Sequence, residues 1–140
     1  MRLLSRVAVV LVVLGAVGAA LGWPRLNDVE TGRTPEYPDL RVREYAAAPD
    51  RVAAAVKDVL GRMPRWRLVG SARGPEGHAI QAVRSTRLLR FEDDVTVRIR
   101  GEAGRTRVSV RSRSRVGKWD FGQNARNVRE LLAALDAEVS

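Results

Sequence analysis

The sequence predicts an α+β fold with a four- to five-stranded antiparallel sheet and two helices on one face of the sheet. Apolar residues alternate with polar ones between residues 65 and 115, which is the period of half-buried strands. On both sides of this region the apolar residues recur with the 3.6-residue period of a helix. Because no helical segment separates the successive strands, a parallel sheet of strand–helix–strand units is excluded.

Residues 1–23 are predicted to direct the protein to a membrane rather than to belong to its fold. Residues 7–23 are apolar or glycine and follow Arg2 and Arg6. A run of this length lies at the short end of the roughly 17–25 residues that cross a bilayer as a helix, so we expect a single-pass anchor in the bacterial cytoplasmic membrane. A cleavable signal peptide is the alternative, because Gly18-Ala19-Ala20 provides the small residues that a signal peptidase requires. In both cases the domain lies outside the cytoplasm.

Residues 24–40 are predicted to form an irregular lead-in. Three prolines within the segment disfavour a helix, and the Asn, Asp and Gly residues between them favour turns. A single α+β domain, residues 41–140, follows the lead-in. We expect this domain to open with a short edge strand within residues 40–45.

The first helix of the domain is predicted over residues 49–63. Pro49 suits the first helical position, and Asp50 places a carboxylate near the positive end of the helix dipole. Pro64 ends the helix because a proline ring cannot continue it. The apolar stripe that faces the core consists of Val52, Val56, Val59, Leu60 and Met63.

Four strands and a last helix complete the predicted domain. Glycine-rich turns at 74–77 and 101–104 lie between alternating segments, whose approximate bounds are 65–72, 78–86, 92–100 and 105–115. Asp120 is the expected N-cap of the last helix, with Gln123 at the third position. The inward stripe of this helix is predicted to contain Asn124, Val128, Leu131, Leu132, Leu135 and Val139.

This order of elements resembles the helix-grip fold of lipid- and hormone-binding domains. The resemblance includes the segment Ala48–Val52 at the start of the first helix. It implies a carrier that holds an apolar or lipid ligand between the sheet and the last helix. The residues that would line such a cavity are Val95, Val97, Val108, Leu131 and Leu135.

The register of the last hairpin is predicted from its apolar residues. If the loop 101–104 closes symmetrically, Val97 lies opposite Val108 on the inner face, and a slip by one residue would expose both. On that face Asp93 would lie opposite Ser112. The outer face would then pair Asp94 with Arg111, Glu92 with Arg113, Arg98 with Arg107, and Arg100 with Arg105.

The basic charge of the chain indicates an anionic partner. The sequence contains 25 Lys and Arg against 16 Asp and Glu, a net charge of +9. Pairs of like charge across two strands are mildly destabilising unless solvent screens them or an anion lies between them. The candidate anion-binding residues are therefore Arg98, Arg100, Arg107 and Arg111. The expected partner is an anionic lipid or an envelope polymer, and not a nucleic acid, because the aromatic residues are too scattered to stack bases.

The composition argues against most catalytic and metal sites. The chain has no cysteine and one histidine, which excludes thiolate ligands and makes a catalytic triad improbable. We therefore predict no catalytic residue, no metal and no cofactor. The remaining enzyme hypothesis is that Asp93 and Asp120 hold a divalent metal, and its alternative is that both carboxylates are structural.

Two segments resemble a known family. Arg90–Val95 and Ser112–Asn124 resemble the domain of unknown function family 1499, and Asn27–Thr31 resembles its bacterial form. The family pattern reads Phe-x-Asp-Asp, then Ser-Arg-x-Gly, then Asp-x-Gly-x-Asn. The resemblance implies a membrane-associated bacterial protein and implies no particular activity. The matching residues are Phe91, Asp93, Asp94, Ser114, Arg115, Gly117, Asp120, Gly122 and Asn124.

We expect four of these residues, Asp93, Arg115, Asp120 and Asn124, to form one structural site where the last strand leads into the last helix. An inward carboxylate at this junction can accept hydrogen bonds from turn amides or from an arginine. Substitution of Asp93 or Asp120 by alanine should therefore lower the melting temperature.

Overall fold

The computed structural model describes residues 2–20 and 24–140 of the chain. Within these ranges the protein is α+β, with three helices and six strands. In chain order the elements are α1 (Arg2–Ala20), β1 (Asp28–Glu30), β2 (Arg43–Tyr45), α2 (Pro49–Arg62), β3 (Trp66–Gly74), β4 (Gly77–Ser85), β5 (Glu92–Glu102), β6 (Arg105–Ser114) and α3 (Gln123–Val139).

The six strands form one antiparallel sheet. Its order is β1-β6-β5-β4-β3, and β2 pairs with β6 on the same edge as β1. The predicted class is confirmed, but the sheet has more strands than expected because the lead-in contributes β1. Val29 is fully buried between two polar neighbours and lies opposite Ser112 of β6. The three residues of β1 alternate between the two faces of the sheet, and the prolines of the lead-in all lie outside this strand.

The core lies between the sheet and the helices α2 and α3. Val56 of α2 and Leu131 of α3 belong to the same buried cluster as Val97 of β5. In β5, buried and exposed residues alternate along the strand, as they do when one face of a sheet is covered. The residues expected to line a carrier cavity, Val95, Val97, Val108, Leu131 and Leu135, are all fully buried members of this cluster.

The last hairpin turns more tightly than the sequence predicts. Glu102 pairs with Arg105, so the turn contains only Ala103 and Gly104, with φ of 50° and 77°. Positive φ at both positions is the geometry of a type I′ turn, which matches the twist of the strands.

The predicted register of this hairpin is therefore wrong by two residues. A shift of two keeps every side chain on its predicted face, so the inner and outer faces are as expected. The opposing residues change: Val97 faces Val110, and Asp93 faces Ser114 rather than Ser112. The outer pairs are Asp94 with Arg113, Thr96 with Arg111, Arg98 with Ser109, and Arg100 with Arg107.

The start of α3 also differs from the prediction. The N-cap is Gly122 with φ of 77°, and Phe121 before it has φ of 53°. These two left-handed residues displace the helix by two positions, so Asp120 is not the N-cap. Its carboxylate still accepts hydrogen bonds from the backbone N–H groups of Gly122 and Asn124, at 2.9 and 3.0 Å. The side chain thus performs the capping role from outside the helix.

Most of the segment expected to anchor the protein is helical. α1 ends at Ala20, and residues 21–23 of the expected anchor lie outside the described residues. No transmembrane helix of the predicted kind is found: over residues 2–20 and 24–140, none of the helices has the length and hydropathy of a membrane span.

Candidate functional site

Several family-motif residues converge at the end of the sheet where β5 begins and β6 ends. Asp93 is 2% exposed on the inner face of β5 and lies opposite Ser114 of β6. Asn124, in the first turn of α3, is fully buried over the same strands. Two residues outside the predicted structural site, Ser112 and Asn127, complete the group. We call Asp93, Ser112, Ser114, Asn124 and Asn127 the polar cluster.

The side chains of the polar cluster bond to one another. The Asn127 amide donates to Asp93 Oδ2 at 2.8 Å and to Ser112 Oγ at 3.1 Å. The Ser112 hydroxyl donates to Asn124 Oδ1 at 2.7 Å, and the Asn124 amide donates to Ser114 Oγ at 2.7 Å. The same amide donates to the Asn27 carbonyl at 3.1 Å. The cluster therefore ties α3, β5, β6 and the lead-in together.

Of the contacts in the polar cluster that the sequence did not predict, those of Asn127 could have been found and that with Asn27 could not. Asn127 follows Asn124 by three residues, and side chains at this spacing share one face of a helix. An asparagine on the inward stripe was thus a usable signal. The contact with Asn27 depends on the pairing of β1 with β6, for which the sequence contains no comparable signal.

Burial perturbs the carboxyl group of Asp93. Removal from water raises the pKa of Asp93 above its ordinary value of 3.8, and the nearby Asp120 carboxylate raises it further. Hydrogen bonds from Asn127 and Ser114 act in the opposite direction, and so does the charge of Arg84. Desolvation is the largest of these effects, so the buried carboxyl is more easily protonated than an exposed one.

This raised pKa predicts a specific pH dependence of stability. The folded state binds the proton of Asp93 more tightly than the unfolded chain does, so this residue costs stability as the pH rises from 3.8 through the folded-state pKa. Asp93→Asn keeps an oxygen that accepts from Asn127 and cannot ionise. We expect the free energy of unfolding of this variant to rise relative to the wild type as the pH rises above 3.8, as measured by urea unfolding over a pH series.

Asp94→Asn is the matched control for this experiment. Asp94 is the next residue in β5 but lies on the exposed outer face, where it pairs with Arg115. Its substitution should give no relative gain as the pH rises. If the difference between Asp93→Asn and the wild type were constant over this pH range, the ionisation of Asp93 would have no part in stability.

The other six motif residues lie outside the polar cluster: Phe91, Asp94, Arg115, Gly117, Asp120 and Gly122. Arg115 does not reach Asp93; it donates to Asp94 at 2.7 Å on the outer face and also pairs with Glu92. Successive residues of a strand point to opposite faces, so Asp93 is buried and Asp94 is exposed. Arg115 pairs with the exposed Asp94. Phe91 donates its N–H to Thr86 Oγ1 at 2.9 Å, and the Gly117 carbonyl accepts from the Asn27 amide at 2.7 Å.

The described part of the chain contains no group of three or more side chains arranged to hold a metal ion. The two carboxylates of the enzyme hypothesis are engaged elsewhere. Asp93 accepts from Asn127, and Asp120 accepts from two backbone amides at the start of α3. The lone histidine, His78, lies 2.8 Å from Asp50.

The predicted anion-binding arginines differ in their surroundings. Arg111 makes a two-pronged contact with Asp28, and this hydrogen bonding lowers the pKa of the Asp28 carboxyl below its ordinary value. Arg107 lies 3.6 Å from Glu102. Arg98 and Arg100 have no ion pair within 4.0 Å among the residues that the structure describes. The charge of Arg111 is thus balanced by an adjacent carboxylate. Arg107 has only a longer contact of this kind, and Arg98 and Arg100 have none among the described residues.

The three less neutralised arginines line a cleft on the outer face. These arginines, Arg98, Arg100 and Arg107, share a pocket with the turn between β3 and β4, and its volume is about 420 Å³; we call this pocket the arginine cleft. Beside Arg98 the neighbouring strands present small side chains, because Ala79 of β4 lies opposite Arg98 and Ala72 of β3 lies opposite Ala79. Arg73 of β3 and His78 of β4 also line the cleft. Tall arginines beside small alanines leave the hollow open.

The chain resembles solved structures at low sequence identity and matches a protein family. The structure of protein CV1439 from Chromobacterium violaceum has 12% sequence identity and a TM-score of 0.45, over 81% of this chain and 97% of that one. CalU16 from Micromonospora echinospora has 16% identity and a TM-score of 0.40, over 71% and 73%. No curated protein matches significantly. The model of the family "Protein of unknown function (DUF1499)" matches residues 22–135, and the chain therefore belongs to this family.

Proposed function

We propose that this protein is a binding module attached to the bacterial cell membrane by its N-terminal segment, with the arginine cleft binding an anionic polymer of the envelope. The observation that carries the proposal is the pair Arg98 and Arg100. Neither guanidinium has a carboxylate within 4.0 Å in the described ranges, and both face the same hollow as Arg107. Guanidinium groups bind carboxylate and phosphate oxygens in a bidentate manner.

The charge distribution around the cleft supports an anionic ligand. Arg100 and Arg107 lie directly opposite each other across two strands, an arrangement that destabilises a sheet by itself. An anion between them would convert this repulsion into two favourable contacts. On the same face Arg111 and Arg115 have acidic partners, Asp28 and Asp94. Arg98 and Arg100 therefore add positive charge that no carboxylate within 4.0 Å neutralises among the described residues, although Glu76 also lines the cleft.

The position of the cleft favours a polymer over the lipid headgroups of the same membrane. Leu11 and Leu14 of α1 lie beside the start of β5, whereas Arg98 and Arg100 lie toward the end of that strand. α1 exposes apolar side chains, with Val12 71% exposed, which suits a membrane surface. An attachment through α1 would direct the cleft away from the membrane.

The experiment compares a charge-matched pair of variants. Full-length protein is reconstituted in phosphatidylcholine vesicles and titrated with polyphosphate and with poly-L-glutamate. The double variant Arg98→Ala/Arg100→Ala should bind at least about tenfold more weakly than the wild type, and added salt should weaken the wild type. The control Arg41→Ala/Arg51→Ala removes the same charge at two exposed residues outside the cleft and should change the affinity less than about twofold.

Three results would contradict the proposal. Equal losses in both double variants would mean that net charge alone attracts the polymer. Binding of neither polymer would leave the cleft without this function. Binding to phosphatidylglycerol vesicles, with neither polymer bound, would assign the cleft to lipid headgroups instead.

A further inference from the structure

A second pocket lies at the opposite end of β5 from the arginine cleft. It has a volume of about 360 Å³, within the range of roughly 300–1,000 Å³ that is usual for small-molecule sites. It forms between the loop that joins β4 to β5 and the segment that joins β6 to α3. We call it the apolar pocket. Its lining includes Leu88, Phe91, Asp93, Val116, Trp119 and Asp120.

The walls of the apolar pocket are hydrophobic. Leu88 is 78% exposed at its edge, and Val116 across the pocket is also exposed. Trp119 stacks on Phe121, with ring centroids 5.3 Å apart. Leu11 and Leu14 of α1 add to the lining, so the pocket opens beside the most apolar element of the chain. Exposed apolar residues around a concave surface mark a ligand site more often than isolated ones do.

The inner side of the pocket is polar. Asp93 and Asp120 both belong to the lining, although each is nearly buried. Their carboxylates can accept a hydrogen bond from a ligand and would repel an anionic head group at this inner side. Arg87 and Arg126 also line the pocket, but both are exposed. Trp119 contributes a buried indole N–H that has no hydrogen-bond partner within the described residues. A head group that both donates and accepts hydrogen bonds suits these neighbours, and a hydroxyl is the simplest such group.

We infer that the apolar pocket binds the alkyl chain of a neutral, single-chain amphiphile whose hydroxyl head group lies against Asp93, Asp120 and Trp119. The site is independent of the arginine cleft, because the two lie at opposite ends of β5. Five residues of the family motif line this pocket: Phe91, Asp93, Ser114, Gly117 and Asp120. The polar cluster then has a role besides stability, since it fixes the Asp93 carboxylate at the pocket wall.

The test is photolabelling of the full-length protein in phosphatidylcholine vesicles with an octanol that carries a diazirine on its chain. Peptide mapping should place the label in residues 86–91 and 116–121. Unlabelled 1-octanol should compete, and octanoate should compete at least about tenfold less well, because its carboxylate would meet two buried carboxyl groups.

A pair of leucine variants separates specific binding from general lipid contact. Leu88→Gln changes an exposed residue at the pocket edge, so the protein should fold normally and lose most of the label. Leu68→Gln is the matched control, since Leu68 is 42% exposed on β3 and does not line the pocket.

Each possible failure overturns a stated part of the inference. Label spread over the whole surface, or unchanged in Leu88→Gln, would mean that the pocket holds no alkyl chain. Octanoate competing as well as octanol would contradict the role of Asp93 and Asp120 in selecting the head group. Neither result depends on the arginine cleft, which has no part in this experiment.

Discussion

Replacement of Asn124 by alanine is expected to lower the free energy of unfolding by about 2–4 kcal/mol. Asn124 is fully buried and makes three hydrogen bonds through its side chain, with Ser112, Ser114 and the Asn27 carbonyl. The alanine variant leaves Ser112 in a fully buried site and Ser114 and Asn27 in half-buried ones, and each unsatisfied buried group costs free energy. Urea unfolding at neutral pH measures the loss.

Gln81→Ala is the control for this variant. Gln81 of β4 also has an amide side chain, but it is exposed on the outer face, where its oxygen accepts a hydrogen bond from Thr96, and it has no contact with the polar cluster. Its substitution should cost less than about 1 kcal/mol. A cost for Asn124→Ala as small as that of the control would show that the polar cluster does not hold the elements together.

The alternation of apolar residues was sufficient to predict most of the sheet. Val95, Val97 and Ile99 all lie on the inner face of β5, as the period of two requires. The same alternation separates Asp93 from Asp94, and the sequence therefore placed Asp93 inside correctly. Periodicity succeeds here because burial of one face acts on every residue of the strand.

The hairpin register depends on a local property that the sequence hardly shows. The segment Gly101-Glu102-Ala103-Gly104 can close as a four-residue or as a two-residue loop. The tighter turn requires a positive φ at Ala103, a conformation that a residue with a Cβ atom adopts at some cost. Apolar pairs exist in both registers, so burial alone does not distinguish them.

The partners of the charged residues were harder to predict than their faces. Arg111 was expected to contribute to anion binding, but Asp28 from β1 neutralises it. That contact joins residues 83 positions apart and exists only because the lead-in adds a strand to the edge of the sheet. Arg115 was expected beside Asp93, but it lies just beyond the end of β6 and pairs with Glu92 and Asp94 on the outer face. Contacts of this kind follow from the tertiary fold and not from local spacing.

A second large loss of stability is expected from Glu130→Ala. Arg84 is 5% exposed on the inner face of the sheet, and its guanidinium donates to Glu130 Oε2 at 3.2 Å. The other Glu130 oxygen accepts from the Trp66 indole N–H at 3.2 Å. Removal of one partner of a buried ion pair leaves an uncompensated charge, but the Glu130 side chain is 36% exposed and water partly replaces it. We therefore expect a loss of about 2–3 kcal/mol rather than the full penalty of a buried pair.

Two further variants distinguish the cost of leaving the Arg84 charge unpaired from the cost of removing any carboxylate of α3. Glu138→Ala removes a carboxylate of α3 that forms a surface ion pair with Arg62 of α2, and such pairs contribute less than about 1 kcal/mol. The double variant Arg84→Met/Glu130→Leu removes both charges and should recover most of the stability lost in Glu130→Ala, because apolar side chains of similar size can replace a buried pair. Thermal and urea unfolding measure all three variants. If the double variant were less stable than Glu130→Ala, the uncompensated charge of Arg84 would not be the source of the loss.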